Sequence, residues 1–118
     1  MISVETINDT TKIRGTSLSG QLNTSYQTLV ELFGEPNALV DGYKTDAEWH
    51  VKVKAEGEAP EYATIYNYKS GKNYLGANGL NVEHIKHWHV GSKSKFTFYN
   101  LEDYVESHHE KCFHERNN

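Results

Sequence analysis

Residues Glu48 to Lys54 (EWHVKVK) alternate apolar and polar without a break. Side chains along a strand point to opposite faces in turn, so Trp49, Val51 and Val53 share one face. Glu48, His50, Lys52 and Lys54 share the other. A one-residue slip would move the whole apolar set to the wrong side, so this strand specifies which face is buried. A loop over Glu56 to Pro60 leads to Tyr62–Tyr68 (YATIYNY), a second strand rich in Tyr, Thr and Ile. The spacing predicts an antiparallel hairpin with one buried face, and that face needs a cover.

Asn23, Thr24 and Ser25 offer side-chain oxygens to cap a helix start. Tyr26, Leu29, Val30 and Phe33 then recur at i, i+3, i+4 and i+7, one stripe of a helix over about Thr24 to Phe33. Gly34 can close it, and Pro36 forbids continuation. Ile2 to Ile7 reads as a strand or a mobile end, and Lys12 to Leu18 as a short strand. Lys69 to Asn81, with three Gly and three Asn, reads as a long loop, Val82 to Val90 as a third strand and Phe96 to Tyr99 as a short one. Asn100 offers a cap, and Leu101, Tyr104, Val105 and His108 mark a second helix to about Lys111. The element order β, α, β, β, β, α predicts an α+β fold, with an antiparallel sheet of 3–5 strands and two helices packed on one face. One domain over residues 1–118 fits the length, with a frayed tail from about residue 112.

Aromatics make up 12% of the chain, more than disordered sequences carry. No apolar run approaches the ~18 residues of a membrane span, and the first residues lack a secretory signal. Cys112 has no partner for an internal disulfide, which fits a reducing cytoplasm. The composition excludes a multidomain enzyme, a membrane protein and a disulfide scaffold.

The formal charge of −4 is unevenly spread. Lys69, Lys72, Lys86, Lys93 and Lys95 stand against Glu83 in one segment, leaving an acidic remainder. Two surfaces follow. A basic one would hold a phosphate, nucleotide or oligonucleotide through Lys69, Lys72, Lys93 and Lys95, with Tyr74 and Trp88 for stacking. An acidic one, of Glu31, Glu35, Asp41, Asp46, Glu48, Glu56, Glu58 and Glu61, would meet a basic partner protein. Antiparallel pairing would put the lysines after the second strand and those after the third at opposite ends of the sheet. Gly71-Lys72-Asn73 lacks the spacing of a phosphate-binding NTPase loop. His87 and His89 share a strand face and are weak candidates for metal ligands. The tail His108, His109, Cys112 and His114 fits no metal framework. No catalytic constellation emerges, no cofactor is implied, and a small histidine-dependent enzyme ranks behind both binding readings. The Tyr-rich strand, pairing edge to edge, would make a homodimer.

Gly15 to Gly20, Leu29 to Pro36, Asp41 to Trp49, Ala63 to Lys69 and Trp88 to Gly91, taken together, resemble a group of small proteins found in tailed-phage genomes. The resemblance implies expression in the bacterial host cytoplasm and an accessory role, such as binding and blocking a host defence factor. It brings no catalytic residues with it. The leading expectation is therefore a small non-enzymatic binding protein with a host protein as partner.

Overall fold

A computed structural model describes residues 1–40 and 42–117, the side chains of 109–117 excepted. Five strands form one antiparallel sheet: β1 (Ile2–Thr6), β2 (Ser17–Asn23), β3 (Glu48–Ala55), β4 (Glu61–Tyr66) and β5 (His87–Ser92). Their order is β1-β3-β4-β5-β2. Helices α1 (Tyr26–Phe33) and α3 (Lys95–Asn117) cover one face, and a single helical turn, α2 (Lys72–Leu75), lies in the long loop. The α+β fold with two helices over one sheet face is thus present.

The alternation of β3 sets the sandwich. Trp49 lies opposite Ile65, which lies opposite Val90, and all three are fully buried. Leu29 and Phe33 of α1 and Phe98, Leu101 and Val105 of α3 close over them. Trp49 and Trp88 meet edge to face at 5.4 Å, with the Tyr26 ring beside both. Ser25 caps α1 by accepting from the Thr28 N–H at 3.1 Å. Gly34 ends it at φ 81°, and its carbonyl accepts the Trp49 indole N–H at 2.9 Å. The helix is thereby tied to the strand that it covers.

Five local expectations change. Lys12–Leu18 is not a strand: Asp9 accepts from the Thr11 N–H and hydroxyl, which winds Thr10–Ile13 into a 3-10 turn, and β2 begins at Ser17. Val82–Val90 is not one strand either, because Val82–His84 forms a 3-10 turn and only His87–Ser92 pairs. Phe96–Tyr99 is helical. Ser94, not Asn100, serves the start of α3, accepting from the Phe96 N–H at 3.1 Å, and Phe98 extends the Leu101–Val105 stripe by one turn. The Tyr-rich strand cannot pair edge to edge, since β4 lies between β3 and β5; the sheet's edges are β1 and β2. The helical backbone of α3 continues to Asn117. The side chains at the expected frayed end, and with them His109, Cys112 and His114, lie outside the described residues, as does Asp41. Among the described residues, no helix is long and apolar enough to cross a membrane.

Candidate ligand site on the open sheet face

The polar positions of the alternating strands build the face away from the helices. His50 of β3 lies opposite Thr64 of β4, which lies opposite Gly91 of β5. One step along, Glu48, Tyr66 and His89 form a second row. The entry to β2 (Ile13 and Thr16, with Ser17 of the strand itself) and the loop before β3 (Leu39, Lys44, Thr45) supply the walls. Between them lies a cleft of about 420 Å³, floored by Glu48, Thr64, Tyr66 and Gly91 and continued by Tyr68. That volume falls in the range of small-ligand sites, ~300–1,000 Å³. Gly91 keeps the floor low: a Cβ there would stand 2.7 Å from the Thr64 hydroxyl.

Glu48 of the floor pairs with His50, which does not itself line the cleft. Glu48 Oε2 and His50 Nε2 are 2.5 Å apart, with side-chain exposures of 21% and 7%. Asn37 holds the strand beside them by accepting the His50 N–H at 3.0 Å. Burial, then the Glu48 carboxylate and then Tyr68, raise the Tyr66 phenol above its ordinary pKa, so it stays a neutral donor.

The cleft opens onto a strip of rings and ammonium groups. Tyr66 and Tyr68 each lie within 6 Å of the His89 ring. Lys44 Nζ lies 6.0 Å from the rings of both Tyr43 and Tyr68. Lys69 Nζ is 5.3 Å from Tyr68 and 5.1 Å from Tyr74, and Tyr74 meets Tyr43 edge to face at 5.3 Å. Tyr43, Tyr68 and Tyr74 remain 56%, 43% and 36% exposed. Among the described residues, Lys69 alone outside glycine has a positive φ, 58°. Such a conformation persists where its surroundings enforce it. Here the Lys69 N–H donates to the Lys44 carbonyl at 2.8 Å, clasping the two lysine loops together.

Asp46 holds this rim in place. Its carboxylate accepts from Asn67 Nδ2 at 2.8 Å and the Asn73 N–H at 3.0 Å. Asn67 Oδ1 in turn accepts the N–H groups of Asp46 and Ala47. Gly71 lets the carboxylate approach, since a Cβ there would lie 2.0 Å from Asp46 Oδ1.

The candidate basic residues are only partly brought together. Lys69 and Tyr74 join the strip, and Lys72 is exposed in the adjoining α2. Lys93 and Lys95 lie at the far end of β5, where Lys95 Nζ donates to the Ser19 carbonyl. Trp88 is not a stacking surface: it is 0% exposed within the core, because its strand face is the one under the helices. Nor do the carboxylates make one surface. Glu31 and Glu35 lie in and just after α1, Glu35 accepting the Tyr26 hydroxyl at 3.1 Å. Glu56, Glu58 and Glu61 cluster at the β3–β4 turn, while Asp46 and Glu48 belong to the rim and the cleft floor. His87 Nδ1 is bonded to Asn23 Oδ1 at 2.8 Å, and His89 faces Tyr66. Among the described residues, no three His, Cys, Asp or Glu side chains converge as metal ligands. Sequence reasoning missed Tyr43, Lys44, Tyr66 and Tyr68. For Tyr66 and Tyr68 the one signal was the placing of tyrosines at the non-core positions of YATIYNY; Tyr43 and Lys44 gave none.

Burial holds the His89 imidazole below its ordinary pKa. The unfolded chain then takes up a proton near pH ~6.5 while the folded chain does so only at lower pH. Stability is whole above that value and falls as the pH drops through the folded pKa. Urea midpoints at pH 7.5 and pH 5 should show the decline, and His89→Gln should flatten it.

No protein-family model, curated protein or solved structure matches the chain.

Proposed function

We propose that this is a small non-enzymatic binding protein whose open sheet face holds a nucleotide, free or as one unit of a single strand. The observation behind the reading is the meeting of a cleft of about 420 Å³ with the Tyr68–Lys69–Tyr74 strip. A nucleotide presents a flat ring and an anion a short distance apart. Tyrosine faces take rings at about 1–3 kcal/mol each, and Lys44 and Lys69 supply charge for phosphate. The facing atoms of Glu48 and His50 are committed to each other, which suits a fixed binding wall better than proton transfer to a substrate. The reading keeps the accessory character expected from sequence and moves the working surface from the scattered carboxylates to the open face.

A thermal-shift panel of purine and pyrimidine nucleotides tests it, followed by titration of the best. Lys69→Glu should weaken that nucleotide about tenfold, and added salt should weaken it further through screening. Lys54→Glu, at the opposite end of β3 from Glu48, should leave the affinity unchanged. No stabilisation across the panel would refute the reading.

A further inference from the structure

The cleft floor carries a negative charge where the rim carries positive ones. Glu48 is held by His50 through Oε2 at 2.5 Å, and that imidazole is almost wholly enclosed. A carboxylate accepts hydrogen bonds and donates none, and its two oxygens offer about four lone-pair sites. The bond to His50 uses one and fixes the plane of the group. Glu48 lines the cleft across the strand pair from Tyr66, the ring that a flat ligand would lie on, and leaves its remaining acceptors to such a ligand. A ligand that fills the cleft must therefore be two-ended. Its anionic end belongs at Lys44 and Lys69, and the end that reaches Glu48 must bring N–H donors, because an acceptor there would face an unpaired carboxylate.

Resting on the nucleotide reading above, we propose that Glu48 reads the base and selects guanine. Guanine offers two adjacent donors on its Watson–Crick edge, N1–H and the N2 amino group, which match a carboxylate. Adenine has a ring nitrogen acceptor beside its amino group and would set a lone pair against Glu48. Cytosine has the same mismatch. Hypoxanthine keeps N1–H and loses the amino group, so it separates one bond from two. Glu48 is in this reading a specificity residue, His50 a positioning residue.

The test is titration calorimetry of the intact protein with GMP, IMP and AMP. A parallel arm uses short oligothymidylates carrying one internal guanine or adenine. Matched bidentate contacts discriminate bases by roughly tenfold or more. GMP should bind at least tenfold tighter than AMP, with IMP between. Glu48→Gln, checked for folding by circular dichroism, should remove most of the GMP advantage, with GMP weakened and AMP strengthened, because the amide can donate to the adenine ring nitrogen that the carboxylate repels. A guanine preference seen with mononucleotides identifies a free nucleotide as the ligand; one seen only in the oligomers identifies a strand. Equal binding of GMP and AMP by the native protein would overturn the role of Glu48 and leave the nucleotide reading standing. Failure of every nucleotide and oligomer would overturn both.

Discussion

Replacing Trp88 with alanine is expected to lower the unfolding free energy by about 3–5 kcal/mol. Domains of this size are stable by only ~5–15 kcal/mol, so the variant should sit close to its unfolding transition at room temperature. The indole is wholly buried. It packs against Trp49 and Tyr26 at 5.4 and 6.2 Å, and a methyl in its place leaves a cavity under α1. Its Nε1–H finds no hydrogen-bond acceptor among the described residues. Trp88→Phe keeps much of the volume and discards that orphan donor, so it should cost much less than the alanine. Urea unfolding followed by circular dichroism gives both values. A Trp88→Ala protein of near-native stability would place the ring at a surface and contradict the core described above.

The second large effect is expected at Asp46. Asp46→Ala should destabilise the protein by about 1–3 kcal/mol, the cost of a part-buried donor, the Asn67 amide, losing a charged acceptor. Asn67 Nδ2 would keep only the long 3.5 Å bond to Ser70 Oγ, and the exposed Asn73 N–H would turn to water. Asp46→Asn is the informative companion: it preserves shape but places an amide where one oxygen now accepts. Hydrogen exchange should show the loss concentrated at residues 67–75, with Trp49 and Val51 still protected in β3. Uniform loss across the sheet would mean that Asp46 holds the core rather than the lysine rim. As a surface carboxylate meeting a partner, Asp46 would tolerate either change within about 0.5 kcal/mol.

What the sequence revealed follows how far each pattern runs. Glu48–Lys54 alternates long enough to exclude a helix, and α1 carries its cap, its stripe and its stop within Ser25–Gly34, so both were legible. Phe96–Tyr99 was too short to separate a period of 2 from one of 3.6, and the true cap at Ser94 hid inside a Gly-Ser-Lys turn. Trp88 misled for a different reason. A basic segment with an interleaved Trp looks like a stacking surface, but the 3-10 turn at Val82–His84 and the pairing with β2 turn its ring to the helices. The cleft was the least legible feature. Its floor comes from the polar half of three strands, and its walls come from loops whose meeting depends on tertiary contacts: the Lys69 N–H on the Lys44 carbonyl and Asp46 on Asn67. Charge counting grouped Lys69 with Lys93 and Lys95, and the antiparallel register does send those two to the opposite end of β4 from Lys69, as the strand order had implied.

The central claim is that the open sheet face binds a nucleotide. Amide chemical-shift mapping during a GMP titration tests it most directly. Saturable shifts are expected only along the cleft and its strip, at Thr16, Ser17, Tyr43, Lys44, Glu48, Thr64, Tyr66, Tyr68, Lys69, Tyr74 and Gly91, with Lys95 and the helix-facing residues unmoved. Shifts gathered at Lys95 or along α3, or a spectrum unchanged at millimolar GMP, would contradict that claim.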